Sequence, residues 1–227
     1  MDTLPEIEKA ILTLPSAERT RLAEWFSEIL ATPRGVAEPV APYAGQLRFP
    51  MTFEEYLEFE EHSRNRHEYL AGEIFAMSGP TKLHNRIAGR FYNAFTNHLK
   101  GGPCDSYIAE IKVKIQVNRD TYAYYPDVMV VCDRDPREDR YVVDPKVIVE
   151  VLSPSTAGVD RHEKRVNYGW IPSLEEYIIA AQETMEVTTF RRREDWRPVV
   201  IRSPDATLEL RSIGLTIPLA QIYDGEW

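Results

Sequence analysis

Tyr125-Pro126-Asp127-Val128-Met129-Val130-Val131 and, further on, Val147-Ile148-Val149-Glu150-Val151-Leu152 decide how this chain folds. Each is a short β-branched and apolar run bounded by proline or polar residues, the pattern of a strand buried on both faces. Each also carries one carboxylate, Asp127 at the entry of the first run and Glu150 inside the second. An acid beside so much apolar surface is costly to ionise unless a cation or hydrogen-bond donors meet it. A shared divalent ion would meet both, since hard oxygen ligands suit Mg²⁺ and Mn²⁺. Equally, Asp127 would cap the turn after Pro126 and Glu150 would pair with an Arg or Lys. The residues alone leave both readings open.

Working outward, residues 1–31 read as a helical hairpin. Leu4, Ile7, Ile11 and Leu14 repeat at helical intervals, Pro15 breaks the run, and Leu22, Trp25, Phe26 and Ile29 line a second helix. Two short helices cannot bury such a stripe alone, so it packs on the main domain or on a protein partner. Residues 32–50 hold Pro33, Gly35, Pro39, Pro42 and Gly45 and read as a linker. From 51 to 227 the pattern is one domain. Thr52 and Glu55 have the spacing of a capping box, and a hairpin turns at Ala71-Gly72. Thr81 starts an amphipathic helix through Ile87, Phe91, Phe95 and Leu99, stopped at Gly101-Gly102. Alternating Ile111, Val113, Ile115 and Val117 form a half-buried strand, and Asp160 with Glu163 caps a helix to about Tyr168. Tyr177-Ile178-Ile179-Ala180 returns as a strand before a β-rich end. The expected class is α/β (α+β), a mixed β-sheet flanked by helices with the N-terminal hairpin added.

A hydrophobic content of 43% and a charged content of 28% are those of an ordinary globular protein. No apolar run reaches bilayer length and the N-terminus has no signal-peptide core, so the expectation is a cytoplasmic protein without a membrane partner. Cys104 and Cys132 lack metal-ligand spacing and read as reduced packing thiols. The net charge of −9 argues against a broad nucleic-acid-binding surface but leaves room for a local groove. Lys112 and Lys114 make one strand face basic, Arg161, Lys164 and Arg165 form a second cluster, and Arg191-Arg192-Arg193 a third. Taken singly, each reads as a solvated face.

The order Pro-Asp, then a hydrophobic strand holding Glu, resembles the PD-(D/E)XK nuclease superfamily. More closely, the chain resembles the Uma-type restriction endonuclease family of bacteria, formerly a domain of unknown function. Tyr69-Leu70-Ala71-Gly72-Glu73-Ile74-Phe75-Ala76-Met77-Ser78 is similar to that family's opening hairpin, and His84 stands early in the next helix as it does there. Glu150-Val151-Leu152-Ser153-Pro154-Ser155-Thr156 resembles its central signature. Asp160, Lys164, Tyr168 and Ile171-Pro172-Ser173-Leu174-Glu175-Glu176-Tyr177 then follow in order.

The resemblance implies a restriction-endonuclease-like core and a DNA endonuclease dependent on Mg²⁺ or Mn²⁺. Asp127, Glu150 and the carbonyl of Val151 would hold the metal, and Glu73 would complete the shell or orient the attacking water. The superfamily lysine expected two residues after the strand Glu is Leu152 here, and Lys164 stands where the family's cation moves to the following helix. Lys164 would serve the transition state, or pair with Asp160 as a surface ion pair. His84, Lys112, Lys114 and Arg161 are the candidate nucleic-acid contacts. A homodimer is expected by analogy with enzymes that cut both strands. The competing readings are an inactive nuclease-fold interaction protein, binding through its hairpin, and a nuclease acting on RNA. Ser153 and Ser155 lack a nucleophile elbow, and His67 and His162 lack zinc-protease spacing.

Overall fold

The computed structural model describes residues 11, 13–15, 18, 19, 21, 22, 51–77, 79–132, 139–152 and 163–223. Within the expected hairpin, Ile11, Glu18, Arg19, Arg21 and Leu22 are helical and Pro15 lies between them; its other residues, and the expected linker 32–50, fall outside the described set. The chain divides into two compact units, Met1–Ser78 with Arg119–Tyr122, and Gly79–Asn118 with Ala123–Trp227.

In the first unit, helix α1 (Phe53–His62) begins at a full capping box, with Thr52 and Glu55 each satisfying the other's backbone. Its buried face, Phe53, Tyr56 and Leu57, meets strand β1 (His67–Leu70), where the Tyr56 and Tyr69 rings stack at 5.1 Å. Strand β2 (Glu73–Ala76) pairs back on β1 with Glu73 opposite Leu70. Both turn residues have positive φ, 50° at Ala71 and 100° at Gly72, the condition for a two-residue turn matching strand twist. The His67 amide and imidazole Nδ1 meet the buried Glu60 carboxylate at 2.9 and 3.0 Å, so that acid is satisfied within the unit.

The second unit is built on helix α2 (Lys82–Leu99) and a six-stranded sheet. Its strands in chain order are β3 (Asp105–Ile108), β6 (Val128–Val131), β8 (Pro145–Val151), β9 (Glu176–Ala180), β10 (Val187–Arg191) and β11 (Pro198–Ile201). In space the order is β11-β10-β9-β8-β6-β3, with β8 and β9 parallel and the other neighbours antiparallel. Strands β4 (Lys112–Val117) and β7 (Tyr141–Val142) pair in parallel, β5 is Asp120–Tyr124, and β12 (Thr207–Leu210) and β13 (Leu215–Pro218) form a hairpin. Short helices α3 (Arg165–Gly169) and α4 (Leu219–Tyr223) complete the unit. Ile87, Phe91 and Phe95 of α2 share one core with Val128, Val130, Val147, Val149, Val151, Ile178 and Ala180. Alternation therefore turns Ile148 and Glu150 to the opposite face of the sheet.

Two features depart from the sequence reading. Cys104 and Cys132 are not free thiols: they flank the paired strands β3 and β6 and form a disulfide, so thiol chemistry no longer speaks for a reducing compartment. The Arg191-Arg192-Arg193 run is not a basic face either. Arg191 bonds Glu176 and Glu194, Arg192 donates to the carbonyls of Gly169, Ile171 and Leu174, and only Arg193 projects outward. No described helix is long and apolar enough to cross a membrane.

Glu176 is 3% exposed, and its two carboxylate oxygens accept from Arg191 Nε, the Arg211 and Ser212 amides and Ser212 Oγ. It thus ties β9 to the Arg211–Gly214 turn of the β12-β13 hairpin. Glu176→Ala would leave the buried Arg191 with Glu194 as carboxylate partner and strip the Arg211 and Ser212 amides of their acceptor, and the expected loss in urea unfolding is about 3 kcal/mol.

Tyr223 sits between the carbonyls of Ala181 and Glu186, at 3.0 and 2.7 Å, and burial pushes its phenol above the ordinary 10. A raised folded-state value means that the native state keeps its proton where the unfolded chain gives it up. This stability is full below pH 10 and is lost as pH rises beyond it. Thermal melts taken across that range should fall less steeply with pH in Tyr223→Phe than in the wild type.

Candidate active site

Strands β6 and β8 lie side by side, and their ladder sets Met129 against Ile148 and Val128 against Val149. Asp127 and Glu150 are the residues next after the Val128–Val149 pair, so the two acids stand at neighbouring strand ends, Glu150 turned to the face away from α2 and Asp127 at a bend. Asp127 is half-buried at the bend after Pro126, while Glu150 is 3% exposed. The two sequence readings of these acids are not exclusive: both carboxylates sit at neighbouring strand ends, and each is met by groups from the chain.

Lys164 meets Glu150. Its ammonium is 3.3 Å from Glu150 Oε1, and the residue is only 5% exposed. The backbone at Glu163 and Lys164 is π-helical before it tightens into α3, a widened turn of the sort often found at functional sites. The alternative pairing with Asp160 cannot be followed, because residues 153–162 lie outside the described set. Tyr168, one helical turn beyond Lys164, donates its hydroxyl to the same Oε1 at 2.8 Å. The Tyr124 ring lies under the ammonium at 5.5 Å, and the Tyr124 hydroxyl accepts from Asn167 Nδ2 at 2.6 Å and donates to Glu163 at 3.2 Å. Lysine and glutamate are therefore held by a frame of tyrosines on the face away from α2. A buried ion pair keeps both charges only when such donors satisfy what the pair leaves open.

His84 meets Asp127 from the other side. Thr81 caps α2 by accepting from the His84 amide, and His84 Nε2 lies 3.1 Å from Asp127 Oδ2. The same oxygen accepts from the Val151 amide at 2.7 Å, which joins the end of β8 to the entry of β6.

Among the described residues, no group of three or more His, Cys, Asp or Glu side chains is gathered to hold a metal ion. The donors nevertheless fit a divalent cation in kind, since Mg²⁺ commonly takes one or two carboxylates and fills its shell with water and substrate phosphate. Here each of those carboxylates is already hydrogen-bonded to the protein.

The other sequence candidates stand as follows. Glu73 opens β2 in the first unit. Lys112 and Lys114 share one side of β4, each over an aromatic ring, Tyr125 at 5.3 Å and Tyr141 at 4.9 Å. Arg161 lies outside the described residues. Residues the sequence reading missed are Tyr124, Asn167 and Gln182, and it gave Tyr168 a place in the signature but no role. A polar group inside an apolar segment was the only signal for any of them.

The mixed sheet with its flanking helices is a restriction-endonuclease-like α+β core. The chain belongs to the Uma2 family, described as "Putative restriction endonuclease", whose profile matches residues 53–220. An uncharacterized protein of Synechocystis is 39% identical over 175 residues, covering 76% of this chain and 90% of the relative. A second uncharacterized Synechocystis protein is 29% identical over 164 residues, covering 70% of this chain and 92% of its own. In fold, the chain is similar to the crystal structure of "a putative nuclease belonging to DUF820" from Anabaena variabilis. The TM-score is 0.65 and the identity 18%, over 77% of this chain and 98% of that one.

Lys164→Met would strand the Glu150 carboxylate in the protein, with an expected cost of about 3–5 kcal/mol in chemical denaturation. Glu150→Gln in the same background removes the stranded charge and should restore much of that loss.

Proposed function

We propose that this protein is a divalent-metal-dependent endonuclease that hydrolyses DNA phosphodiester bonds, acting in the cytoplasm as a homodimer. The reading rests chiefly on one observation: in a chain of this family, Lys164 is held on Glu150 beside the strand-end Asp127 although the superfamily's lysine position is Leu152. Asp127, Glu150 and the Val151 carbonyl are the residues that would hold Mg²⁺ or Mn²⁺, which when bound supplies charge neutralisation at the phosphoryl oxygens and a more acidic water.

The remaining chemistry falls to the chain. Lys164 carries a mobile point charge on a long stem, suited to move from Glu150 towards a phosphoryl oxygen as negative charge builds there. Glu150, released from that partner, keeps the Tyr168 hydroxyl and so holds its orientation. His84 Nε2 holds or yields a proton beside Asp127 and suits contact with the phosphate. Lys112, Lys114 and Arg161 would neutralise neighbouring phosphates. Residues 1–31 would offer an apolar face to a protein partner.

Leu152 and the internally neutralised acids also favour a second reading, an inactive scaffold that keeps the nuclease fold. Cleavage of supercoiled and single-stranded DNA, and of RNA, in Mg²⁺ or Mn²⁺ separates the two. The wild type should cut DNA and stop when chelator is added. Asp127→Asn and Glu150→Gln should lose nearly all activity, and Lys164→Met should lose roughly 10²-fold or more in rate while still binding the ion. Preference for RNA would revise the substrate. Neither cleavage nor metal uptake on any substrate would favour the scaffold.

A further inference from the structure

Gln182 follows β9 and is 6% exposed, an uncharged polar side chain buried at the same end of the sheet as Asp127 and Glu150. Its Nε2 donates to the Leu152 carbonyl at 2.5 Å, and its Oε1 accepts from Thr81 Oγ1 at 2.6 Å. The amide can face only one way. A carbonyl accepts and never donates, so the NH₂ must meet Leu152; the remaining Oε1 carries no hydrogen, so Thr81 Oγ1, which also accepts the His84 amide, gives its proton to it.

These bonds close a ring. His84 Nε2 and the Val151 amide share Asp127 Oδ2; the His84 amide leads to Thr81, Thr81 to Gln182, and Gln182 to Leu152, the residue after Val151. The helix that carries His84 and the strand that carries Glu150 and Val151 are thus joined twice, once through Asp127 and once through Gln182. Apolar packing of α2 on β8 sets the distance between them, and Gln182 adds to Asp127 a second polar tie at the end where the ligands stand.

We propose that Gln182 is a positioning residue: it clamps the first turn of α2 to the end of β8 and so fixes the oxygen donors of Asp127 and the Val151–Leu152 backbone before an ion enters. This inference rests on the nuclease reading above. It assigns Gln182 no contact with substrate. Polar groups one shell out from metal ligands commonly change metal affinity by an order of magnitude or more when removed.

The test is calorimetric titration of Mn²⁺ into the full-length protein, with thermal melts recorded alongside. Gln182→Met, close in size but unable to bridge, should weaken Mn²⁺ binding about 10-fold. Thr81→Val should weaken it similarly and Thr81→Ser should keep wild-type affinity, because serine retains the hydroxyl. The Gln182→Met, Thr81→Val double variant should bind no worse than the weaker single variant, since both cut one bridge. In cleavage assays Gln182→Met should lower kcat and leave KM for DNA unchanged. Wild-type Mn²⁺ affinity in Gln182→Met, or fully additive losses in the double variant, would overturn the assignment and leave the nuclease reading standing. If the wild type itself takes up no Mn²⁺, the nuclease reading falls and the clamp falls with it. Should Gln182→Met not fold, the contrast between Thr81→Val and Thr81→Ser decides: equal affinities would refute the clamp.

Discussion

An ionised carboxylate cannot stay unmatched at the end of a buried sheet, and Glu150 is such a group. Taking it out of water costs several kcal/mol, which good geometry with a cation and further donors must offset. The chain meets that demand with Lys164 at 3.3 Å and the Tyr168 hydroxyl at 2.8 Å. The position of α3 follows from this need, because both donors stand one turn apart around the start of the helix. The tyrosine frame follows too: Tyr124 lies under the ammonium and takes Asn167 as its own donor. One buried acid thereby organises a helix, a strand end and three aromatic residues, counting Tyr177, which packs on Tyr168 at 5.3 Å.

The displacement of the cation from the strand to the helix has a plain physical reading. A lysine at position 152 would alternate onto the same side as Glu150 and leave its stem on the strand end. In this chain Leu152 is buried there instead, 6% exposed, and its carbonyl is bound by Gln182. The charge arrives from further along the chain, on a helix whose Tyr168 binds the same carboxylate. The ammonium reaches the same carboxylate by either route, but the helical route leaves an apolar side chain buried at the strand end.

Much of this was legible because it is local. Capping at Thr52 and Thr81, the positive-φ turn at Ala71-Gly72 and the apolar runs around Asp127 and Glu150 need only near neighbours in sequence, and the structure keeps each of them. Lys164 was found through resemblance and not through spacing. What stayed hidden depends on register between distant strands. The disulfide required knowing that β3 pairs with β6, and nothing near Cys104 or Cys132 announces it. Glu176 stands in the signature without a partner that the sequence could name, and a turn some 35 residues away supplies its donors. Gln182 carried no periodic or motif signal at all.

The acidic balance of −9 and a phosphate-binding role are reconciled by where the charges are held. Phosphate attraction decays over about 10 Å at 0.1 M salt, so a substrate feels the nearest charges more than the net total. Lys112 and Lys114 sit on one side of β4 over the rings of Tyr125 and Tyr141, whose faces favour an ammonium. Several of the acids in the second unit are spent internally: Glu176 on Arg191 and Ser212, Glu186 on Arg202, Glu194 on Arg191 and Arg211. A formal count weighs such paired acids equally with open ones, although their field is largely cancelled within a few ångströms. Net charge therefore excludes a broad basic surface on this chain while leaving the strand ends around Asp127 and Glu150 as ground on which phosphate and cation can meet.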